Sequence, residues 1–222
     1  MSKKVLTEED VRRVGPGSPC YVEPGTIVTP LAQEIAHERQ NQILVAVDSS
    51  ELAERKAYNR RLALGADHAG WRLKEELKVY LERNGYSVHD CGTSSQDPVD
   101  YPDYALKVAS GVLEGKAFRG IMIDGVGTGS CIVANKVPGI RAANCYDQLT
   151  ARNSRQHNDS NLLTLGGQIL SFELASQIVM TWLTTSFAGG RHEIRVSRIA
   201  DVEQQFCRSC VTVVPGDVSC AL

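Results

Sequence analysis

"RGIMIDGVGTGSCIVANK", residues 119–136, joins a short apolar run to a glycine-rich loop and then to an amphipathic segment. The apolar run at 121–123 predicts a buried strand. Asp124 follows that strand directly, and glycine stands at 125, 127 and 129. A helix is predicted from about 129 to 136. A strand that leads through a glycine loop into a helix is typical of α/β proteins with a parallel sheet.

The same alternation of strands and helices extends from residue 61 to about 206. Strands are predicted at 61–67, 86–92, 120–124, 140–145 and 162–167, with helices between them and a charged helix at about 191–206. Two helices show an apolar face, made of Leu73, Leu77, Tyr80 and Leu81 in the first and of Leu174, Ile178, Val179 and Trp182 in the other. This pattern predicts βαβ units and a mostly parallel sheet of about five strands. In such folds the chemistry lies at the carboxyl ends of the strands.

Composition excludes several classes of protein. The chain has 222 residues, 42% of them hydrophobic, and can bury one sizeable core. A net charge of −2 gives no bulk electrostatic reason to expect nucleic acid or an acidic membrane as partner. No apolar run is long enough to span a bilayer, and the first residues lack the apolar region of a secretory signal. Seven cysteines are typical of reduced thiols, so we expect a cytoplasmic protein.

Residues 1–60 are predicted to form an N-terminal appendage and linker, followed by a main domain at 61–206 and a tail at 207–222. Thr7, with Asp10 three residues on, is close to a capping box, and Thr29 followed by Pro30 is typical of a second helix start. Residues 49–60 are predicted to be a helical or a flexible linker. No internal repeat is apparent.

The tail carries a CxxC motif at Cys207 and Cys210, with Cys220 ten residues later. A closed zinc site needs four ligands, and only three thiols are local. Reduced thiols are therefore favoured over a metal site.

"GADHAG" places Asp67 and His68 between a predicted strand and a predicted helix. The pair is suited to hydrogen-bonding a polyol, while the start of the helix favours an anion. The alternative is that Asp67 only caps the helix.

The glycine loop is suited to an oxyanion, because the N–H groups of Gly125, Gly127 and Gly129 can converge on one point. Its spacing matches neither the Walker loop nor the dinucleotide fingerprint. A carboxylate beside such a cradle can take a proton from a carbon next to a carbonyl, while the amides stabilise the enediolate. Asp124 is thus a candidate base; the alternative is a turn or cap residue.

Two further motifs carry charged or titratable groups. His157, near the end of a predicted helix, can move a proton at neutral pH, although a single histidine is more often structural. Arg191 and Arg195 lie one helical turn apart, with Arg198 beyond them, and can grip one phosphate. A solvated basic face is the alternative.

From about residue 61 to 199 the chain resembles the ribose-5-phosphate isomerase B family, which includes the subunits of galactose-6-phosphate isomerase. The resemblance is carried by "GADHAGWRLKEELKVYL", "VDYPDYA", "GVGTGSCIVANKVPGIRAA", "ARNSRQHNDSNLLTLGG" and "FAGGRHEIRV", all in the family's order. It implies a Rossmann-like three-layer α/β/α fold and homodimers or tetramers with active sites between subunits. It also implies isomerisation of a sugar phosphate without metal or cofactor.

By the same resemblance, each candidate residue has an expected role. Asp67 and His68 would face the sugar or its phosphate, His157 would assist ring opening with Asn158 nearby, and Arg191 and Arg195 would bind the phosphate. The loop, which comprises Gly125, Gly127, Thr128 and Gly129, would hold the enediolate oxygens. Arg141 lies in a matching segment but has no assigned role.

The chain departs from the family at the base. Many members have cysteine where this chain has Asp124, and another branch has glutamate where this chain has Ser130. A neighbouring position that often holds threonine is Val126. Asp124 is therefore the favoured base, with Cys131, at a helix start that lowers a thiol pKa, as a further candidate. The alternative is a catalytically weakened sugar-phosphate-binding or scaffolding paralogue.

The appendage has a resemblance of its own. "VEPGTIVTPLAQEIAHER" is similar to short N-terminal segments of enzymes associated with bacterial microcompartments, which suggests docking to shell or cargo proteins. The alternative is an arm that strengthens the oligomer. The sequence as a whole predicts an isomerase of ribose 5-phosphate and ribulose 5-phosphate, in the carbohydrate metabolism of the pentose phosphate pathway.

Overall fold

A computed structural model describes residues 4–14, 19–39, 41–45 and 49–209. That part of the chain contains nine strands and nine helices. In chain order they are β1 (Val5–Leu6), α1 (Glu8–Arg13), β2 (Cys20–Val22), β3 (Ile27–Val28), α2 (Pro30–Glu38), β4 (Ile43–Val45), α3 (Ser49–Tyr58), β5 (Arg61–Ala66), α4 (Trp71–Arg83), β6 (Ser87–Asp90), α5 (Tyr101–Leu113), β7 (Arg119–Asp124), α6 (Thr128–Ala134), β8 (Ala142–Asn144), α7 (Gln148–Asn158), β9 (Leu162–Gly166), α8 (Phe172–Thr184) and α9 (Arg191–Ser209).

The main domain is built on a five-stranded sheet in the order β6-β5-β7-β9-β8, and every neighbouring pair in it is parallel. Ile121 and Ile123 of β7 point to one face of this sheet and Met122 to the other, because side chains alternate along a strand. All three are fully buried, since helices cover both faces.

The two faces of the sheet have separate cores. One core packs side chains of α4, α7 and α8 against the sheet, with Trp182 as its largest fully buried side chain. The other packs α5 and α6 against the opposite face, around Val108 and Met122. The result is a three-layer α/β/α domain, and the prediction of an α/β fold with a parallel five-stranded sheet is confirmed.

Two sequence predictions about this domain need correction. Leu174 was predicted on the apolar face of α8 but is exposed, while Ala175 is fully buried in its place. The face of α8 that contacts the core contains Ala175, Ile178, Val179 and Trp182, and Leu174 lies one position outside it. The last helix continues to Ser209, beyond the predicted domain boundary at 206, and residues 210–222, with Cys210 and Cys220, lie outside the described residues. The segment 49–58 is a helix, so the helical alternative for the linker is correct.

The N-terminal appendage is a small module made of two strand–helix–strand halves. β1 pairs with β3 and β2 with β4, both in parallel, so each strand finds its partner in the other half. Thr7 and Thr29 stand at equivalent places before α1 and α2, and Thr29 Oγ1 accepts the Ala32 N–H at 3.1 Å. The halves share a core that includes Val11 and Ala32, both fully buried. This structural repeat was not apparent from the sequence, because its halves share few residues.

Over the ranges that the structure describes, no helix combines the length and the apolar character needed to cross a membrane.

Candidate active site

The loops after β5 and β7 meet at the carboxyl edge of the sheet and bring Asp67 and Asp124 together; the space beside these loops is called the crevice below. Asp67 follows β5 and Asp124 ends β7, the two strands are neighbours in the sheet, and the Asp67 N–H donates to the Ile123 carbonyl at 3.1 Å. Each aspartate is only 5% exposed. The sequence prediction that these two residues share one crevice agrees with this geometry.

The carboxylate of Asp124 turns into the glycine loop that follows it. Its Oδ1 accepts the N–H groups of Val126, at 2.8 Å, and of Gly127, and its Oδ2 accepts that of Ser130 at 2.9 Å. A carboxylate has about four acceptor positions, so three are occupied and one remains. The hydrogen bonds fix the path of the loop. Asp124 therefore organises the turn, as the alternative interpretation of this residue predicted. The Gly127 amide donates to this carboxylate.

Two positions in the loop require glycine. Gly127 has φ of +91°, in the left-handed region, and a Cβ there would lie 2.4 Å from Asn144 Oδ1. A Cβ on Gly129 would lie 2.7 Å from the Tyr101 ring. The loop lies tightly between β8 and the start of α5, so neither position tolerates a side chain.

The next two amides of the loop remain available. The N–H groups of Thr128 and Gly129, in the first turn of α6, make no hydrogen bond to any described residue. They lie between the Gly127 and Ser130 amides that Asp124 binds, so an anion in the crevice can reach them while the loop stays intact. Of the residues predicted to form the cradle, Thr128 and Gly129 thus have free amides.

Asp67 caps α4 while leaving one oxygen unused. Its Oδ1 accepts the N–H groups of Ala69 and Gly70, both at 2.9 Å, and its Oδ2 makes no hydrogen bond to any described residue. Burial raises the pKa of Asp67, the two amides lower it, and the charge of Asp124 raises it further, so that the net shift is upward. The capping alternative is therefore correct but incomplete, because the second oxygen is left over.

His68 is held by the loop that precedes α5. The Val99 N–H lies 3.2 Å from His68 Nδ1, which fixes the ring and leaves Nε2 for another partner. The side chain is half-buried beside Asp67. This placement agrees with a role in binding a polar ligand.

The structure adds polar residues that sequence reasoning missed. Asn144 Nδ2 donates to Tyr146 Oη at 2.7 Å and to Thr128 Oγ1 at 3.2 Å, while its Oδ1 is buried without a described partner. Tyr101, in "VDYPDYA", packs against Gly129. The signal for Asn144 was its position at the carboxyl end of a strand.

Cys131 is placed poorly for a base. Its Sγ donates to the Ala142 carbonyl at 3.5 Å. Burial is the largest influence on its thiol and raises the pKa, despite its position in the first turns of α6. The expectation that the helix start lowers this pKa is wrong, because desolvation outweighs it.

His157 and Asn158 lie at the opposite, amino edge of the sheet. They end α7, and the Asn161 carbonyl shortly after them accepts the Gly120 N–H at the start of β7. An 11-residue helix is about 16 Å long, so α7 carries His157 that far from the carboxyl edge. Within one chain, His157 is therefore separated from Asp124.

The predicted phosphate-binding arginines lie beside His157. The Ala188 N–H donates to the Gln156 carbonyl at 3.0 Å, which anchors the start of α9 to the end of α7. Arg191 and Arg195 are exposed on α9. Between them, His192 is buried and stacks on His157, with ring centroids 4.2 Å apart and an angle of 5° between the planes. Sequence reasoning missed this stack, because it depends on two helices that are distant in sequence.

The candidate residues therefore form two clusters. The carboxyl-edge cluster contains Asp67, His68, Asp124, Gly125, Gly127, Thr128 and Gly129. The amino-edge cluster contains His157, Asn158, Arg191 and Arg195. Arg141 has a structural role near the second cluster, since it pairs with Asp159 at 2.9 Å. In the described parts of the chain, no group of three or more His, Cys, Asp or Glu side chains is arranged to hold a metal ion.

Comparison with known proteins gives a consistent result. Residues 62–199 match the family model described as Ribose/Galactose Isomerase. Ribose-5-phosphate isomerase B of Escherichia coli K12 is 44% identical over 146 residues, which are 66% of this chain and 98% of that protein. D-erythrulose-4-phosphate isomerase of Pectobacterium atrosepticum is 40% identical over 65% of this chain and 95% of that protein.

Solved structures agree with the sequence comparisons. Ribose-5-phosphate isomerase B of Clostridium thermocellum superposes with a TM-score of 0.65 and 49% identity, covering 66% of this chain and 99% of that one. The type B enzyme of Leishmania infantum gives 0.63 and 43%, covering 66% and 97%. In each case the similarity is to about two-thirds of this chain and to nearly all of the relative.

Proposed function

Since this chain belongs to the ribose/galactose isomerase family, we infer that it is an intramolecular oxidoreductase that interconverts an aldose phosphate and its ketose. Ribose 5-phosphate and ribulose 5-phosphate are the pair we propose, which would place the enzyme in the pentose phosphate pathway. The observation that carries this proposal is the crevice at the carboxyl edge, where a buried carboxylate lies next to the two unpaired amides of Thr128 and Gly129.

In the proposed reaction, Asp124 takes a proton from the carbon next to the sugar carbonyl. Its remaining acceptor position serves this purpose, and the three hydrogen bonds to the carboxylate hold it in place. The amides of Thr128 and Gly129 stabilise the negative charge that develops on the enediolate oxygens. His68 contributes a further hydrogen bond to the sugar.

The second cluster supplies phosphate binding and ring opening. Arg191 and Arg195 lie one turn apart on α9 and both side chains reach solvent, which suits a phosphate clamp. His157 moves the proton of the ring oxygen, with Asn158 beside it. Because the two clusters lie at opposite edges of the sheet in one chain, we propose a homo-oligomer, a dimer or a tetramer. In it the carboxyl edge of one subunit meets the amino edge of its partner.

A catalytically weakened sugar-phosphate-binding or scaffolding protein is the second candidate. It is favoured by one observation, namely that most of the acceptor capacity of the Asp124 carboxylate is engaged by the loop. Such a protein would keep the phosphate clamp and bind ribose 5-phosphate without turnover.

The test is to incubate the full chain with ribose 5-phosphate in deuterated water and to follow ribulose 5-phosphate formation and deuterium incorporation next to the carbonyl. We expect turnover in the wild type and a loss of about 10³-fold or more in Asp124→Asn, because the proton acceptor is removed. Cys131→Ala is the matched control and should retain activity.

Loop damage is separated from loss of the base by a binding measurement. Asn at 124 leaves one loop amide without an acceptor, so thermal unfolding and the affinity for ribitol 5-phosphate, which cannot isomerise, should be recorded for each variant. Retained binding with lost turnover supports the base role. Tight binding of ribose 5-phosphate by the wild type, with neither turnover nor exchange, would support the scaffolding protein instead.

For the N-terminal module we propose docking to shell or cargo proteins of a bacterial microcompartment, within the cytoplasm. The module has its own core and lies outside residues 62–199, which suits an added targeting unit. Residues 1–60 fused to a fluorescent reporter should co-purify with shell proteins in a host that forms microcompartments. Val11→Asp, which places a charge in the module core, is the control that should abolish it. Equal recovery of the two fusions would contradict the proposal.

A further inference from the structure

Aldose–ketose isomerisation moves two protons, and the proposed base accounts for one. A hydrogen moves between C1 and C2, and a second proton moves between the oxygens O1 and O2. Asp124 is placed to act on carbon, but the proton on oxygen needs a donor and an acceptor of its own. Val126, the apolar side chain in the loop, has no hydroxyl to offer.

Asp67 is a carboxyl group in the same crevice that has a free oxygen. Its Oδ1 is used to cap α4, whereas its Oδ2 has no partner among the described residues. The side chain lies at the carboxyl end of β5, beside β7 and Asp124, and is 5% exposed. An oxygen that the described part of the fold leaves unpaired is available to a ligand in the same crevice.

Asp67 and Asp124 differ in their hydrogen-bonding and electrostatic surroundings. Three backbone amides donate to the two oxygens of Asp124, whereas the two amides that Asp67 accepts both bind its Oδ1. Burial raises the pKa of Asp67, and the facing charge of Asp124 on β7 raises it further, against the lowering effect of its two amides and of the adjacent His68. Two neighbouring carboxyls whose environments separate them in this way are suited to act as one base and one acid.

We propose that Asp67 is the second proton carrier of the isomerisation, working on O1 and O2 while Asp124 works on carbon. This inference rests on the proposed isomerase function. Starting from the aldose, Asp124 takes the C2 proton, and the protonated Asp67 gives its proton to the carbonyl oxygen O1, which yields the enediol. Asp124 then returns its proton to C1 while ionised Asp67 takes the proton of the O2 hydroxyl, which yields the ketose. Both carboxyls regain their starting state.

The test uses Asp67→Asn, which keeps the capping oxygen and replaces only the free one with a group that cannot carry the proton. Ribulose 5-phosphate is incubated in deuterated water, and exchange at C1 is compared with conversion to ribose 5-phosphate. Exchange needs carbon chemistry alone, and the Asn amide can still donate to the enediolate oxygen. We expect isomerisation to fall about 10²–10⁴-fold and the ratio of exchange to isomerisation to rise at least about tenfold.

The other variants make the result specific. Asp124→Asn should lose exchange and isomerisation together, so that their ratio does not rise. Asp97→Asn, which changes an exposed carboxylate whose described hydrogen bonds are only to Ser95, is the matched control.

If Asp67→Asn fails to fold, Asp67→Ser, which retains a capping oxygen, is measured in the same way. An unchanged ratio in an active enzyme would overturn this inference alone, whereas a wild type that shows neither exchange nor turnover would overturn the proposed function.

Discussion

At the scale of single residues, the site depends on the hydrogen bonds between the Asp124 carboxylate and the backbone amides of the glycine loop. The carboxylate shapes the loop, and the loop returns its N–H groups to the carboxylate. Such an arrangement can form only if Gly127 keeps its left-handed conformation. The reactive group and its scaffold are therefore one unit, and a change to either affects both.

Gly127→Ala tests this dependence. A Cβ at this position meets Asn144 Oδ1 at 2.4 Å in a conformation that alanine rarely adopts, so we expect a loss of about 1–3 kcal/mol of unfolding free energy and of nearly all isomerase activity. Urea unfolding and the deuterium assay measure the two effects. Gly115→Ala is the control, since it has a positive φ of 71° but open space around its Cβ and lies away from the site. An active Gly127→Ala enzyme would show that the loop geometry is not required.

Several residues were predictable from sequence because their position depends on local pattern. Asp67 and Asp124 each follow an apolar run directly, so their place at the carboxyl edge could be inferred. The direction of the Asp124 side chain was not predictable, since it depends on backbone torsions inside the loop. The His157–His192 stack was not predictable either, because it forms between two helices.

At the scale of elements, α4 is fastened to β6 by a buried ion pair. Lys74 is 1% exposed, and its Nζ donates to both oxygens of Asp90, at 2.9 and 3.0 Å. Burial alone would raise the pKa of Asp90, but the hydrogen bonds from Lys78 and Lys74 outweigh it and hold the pKa at about 2. Sequence analysis gave the apolar face of α4 and missed Lys74, because a lysine at that position fits a solvated face equally well.

The pair predicts a dependence of stability on pH. The folded-state pKa of about 2 lies below the ordinary value of 3.8, so the pair stabilises the fold above about pH 4 and this contribution is lost as the pH falls toward 2. Asp90→Asn should lower the free energy of unfolding at pH 7 by roughly 1–3 kcal/mol, because Lys74 loses a partner, and should flatten its decline between pH 4 and pH 2.

Urea unfolding at a series of pH values measures this prediction. Glu114→Gln, which removes an exposed pair with Lys116, is the control and should change neither quantity measurably. If Asp90→Asn shows the same dependence of unfolding free energy on pH as the wild type, the role given to the Lys74–Asp90 pair is contradicted.

At the scale of the whole molecule, the two clusters of candidate residues lie at opposite edges of one sheet. Sequence analysis placed both on the correct elements, since strand and helix patterns are local. It did not place the clusters relative to one another, because that relation depends on the length and direction of α7. The site proposed here is therefore complete only when two copies meet.

Subunit mixing tests that arrangement. Asp124→Asn and His157→Asn should each be nearly inactive alone. After the two are unfolded and refolded together, activity should return to about a quarter of the wild-type value, because half of random dimers are mixed and each mixed dimer has one intact site. The assay is ribulose 5-phosphate formation at matched protein concentration. A mixture as inactive as its components would contradict an active site shared between subunits.

The paired halves of the N-terminal module have a consequence for how this extension can be cut or inherited. Since β1 pairs with β3 and β2 with β4, neither half has a strand partner of its own. Cleavage at the exposed turn around Gly25 would leave two fragments that still need each other, so we expect a nicked module to stay assembled. A gene truncated at this turn would instead encode one half whose strands lack their partners. We therefore expect the N-terminal module to be gained or lost in evolution only as a whole.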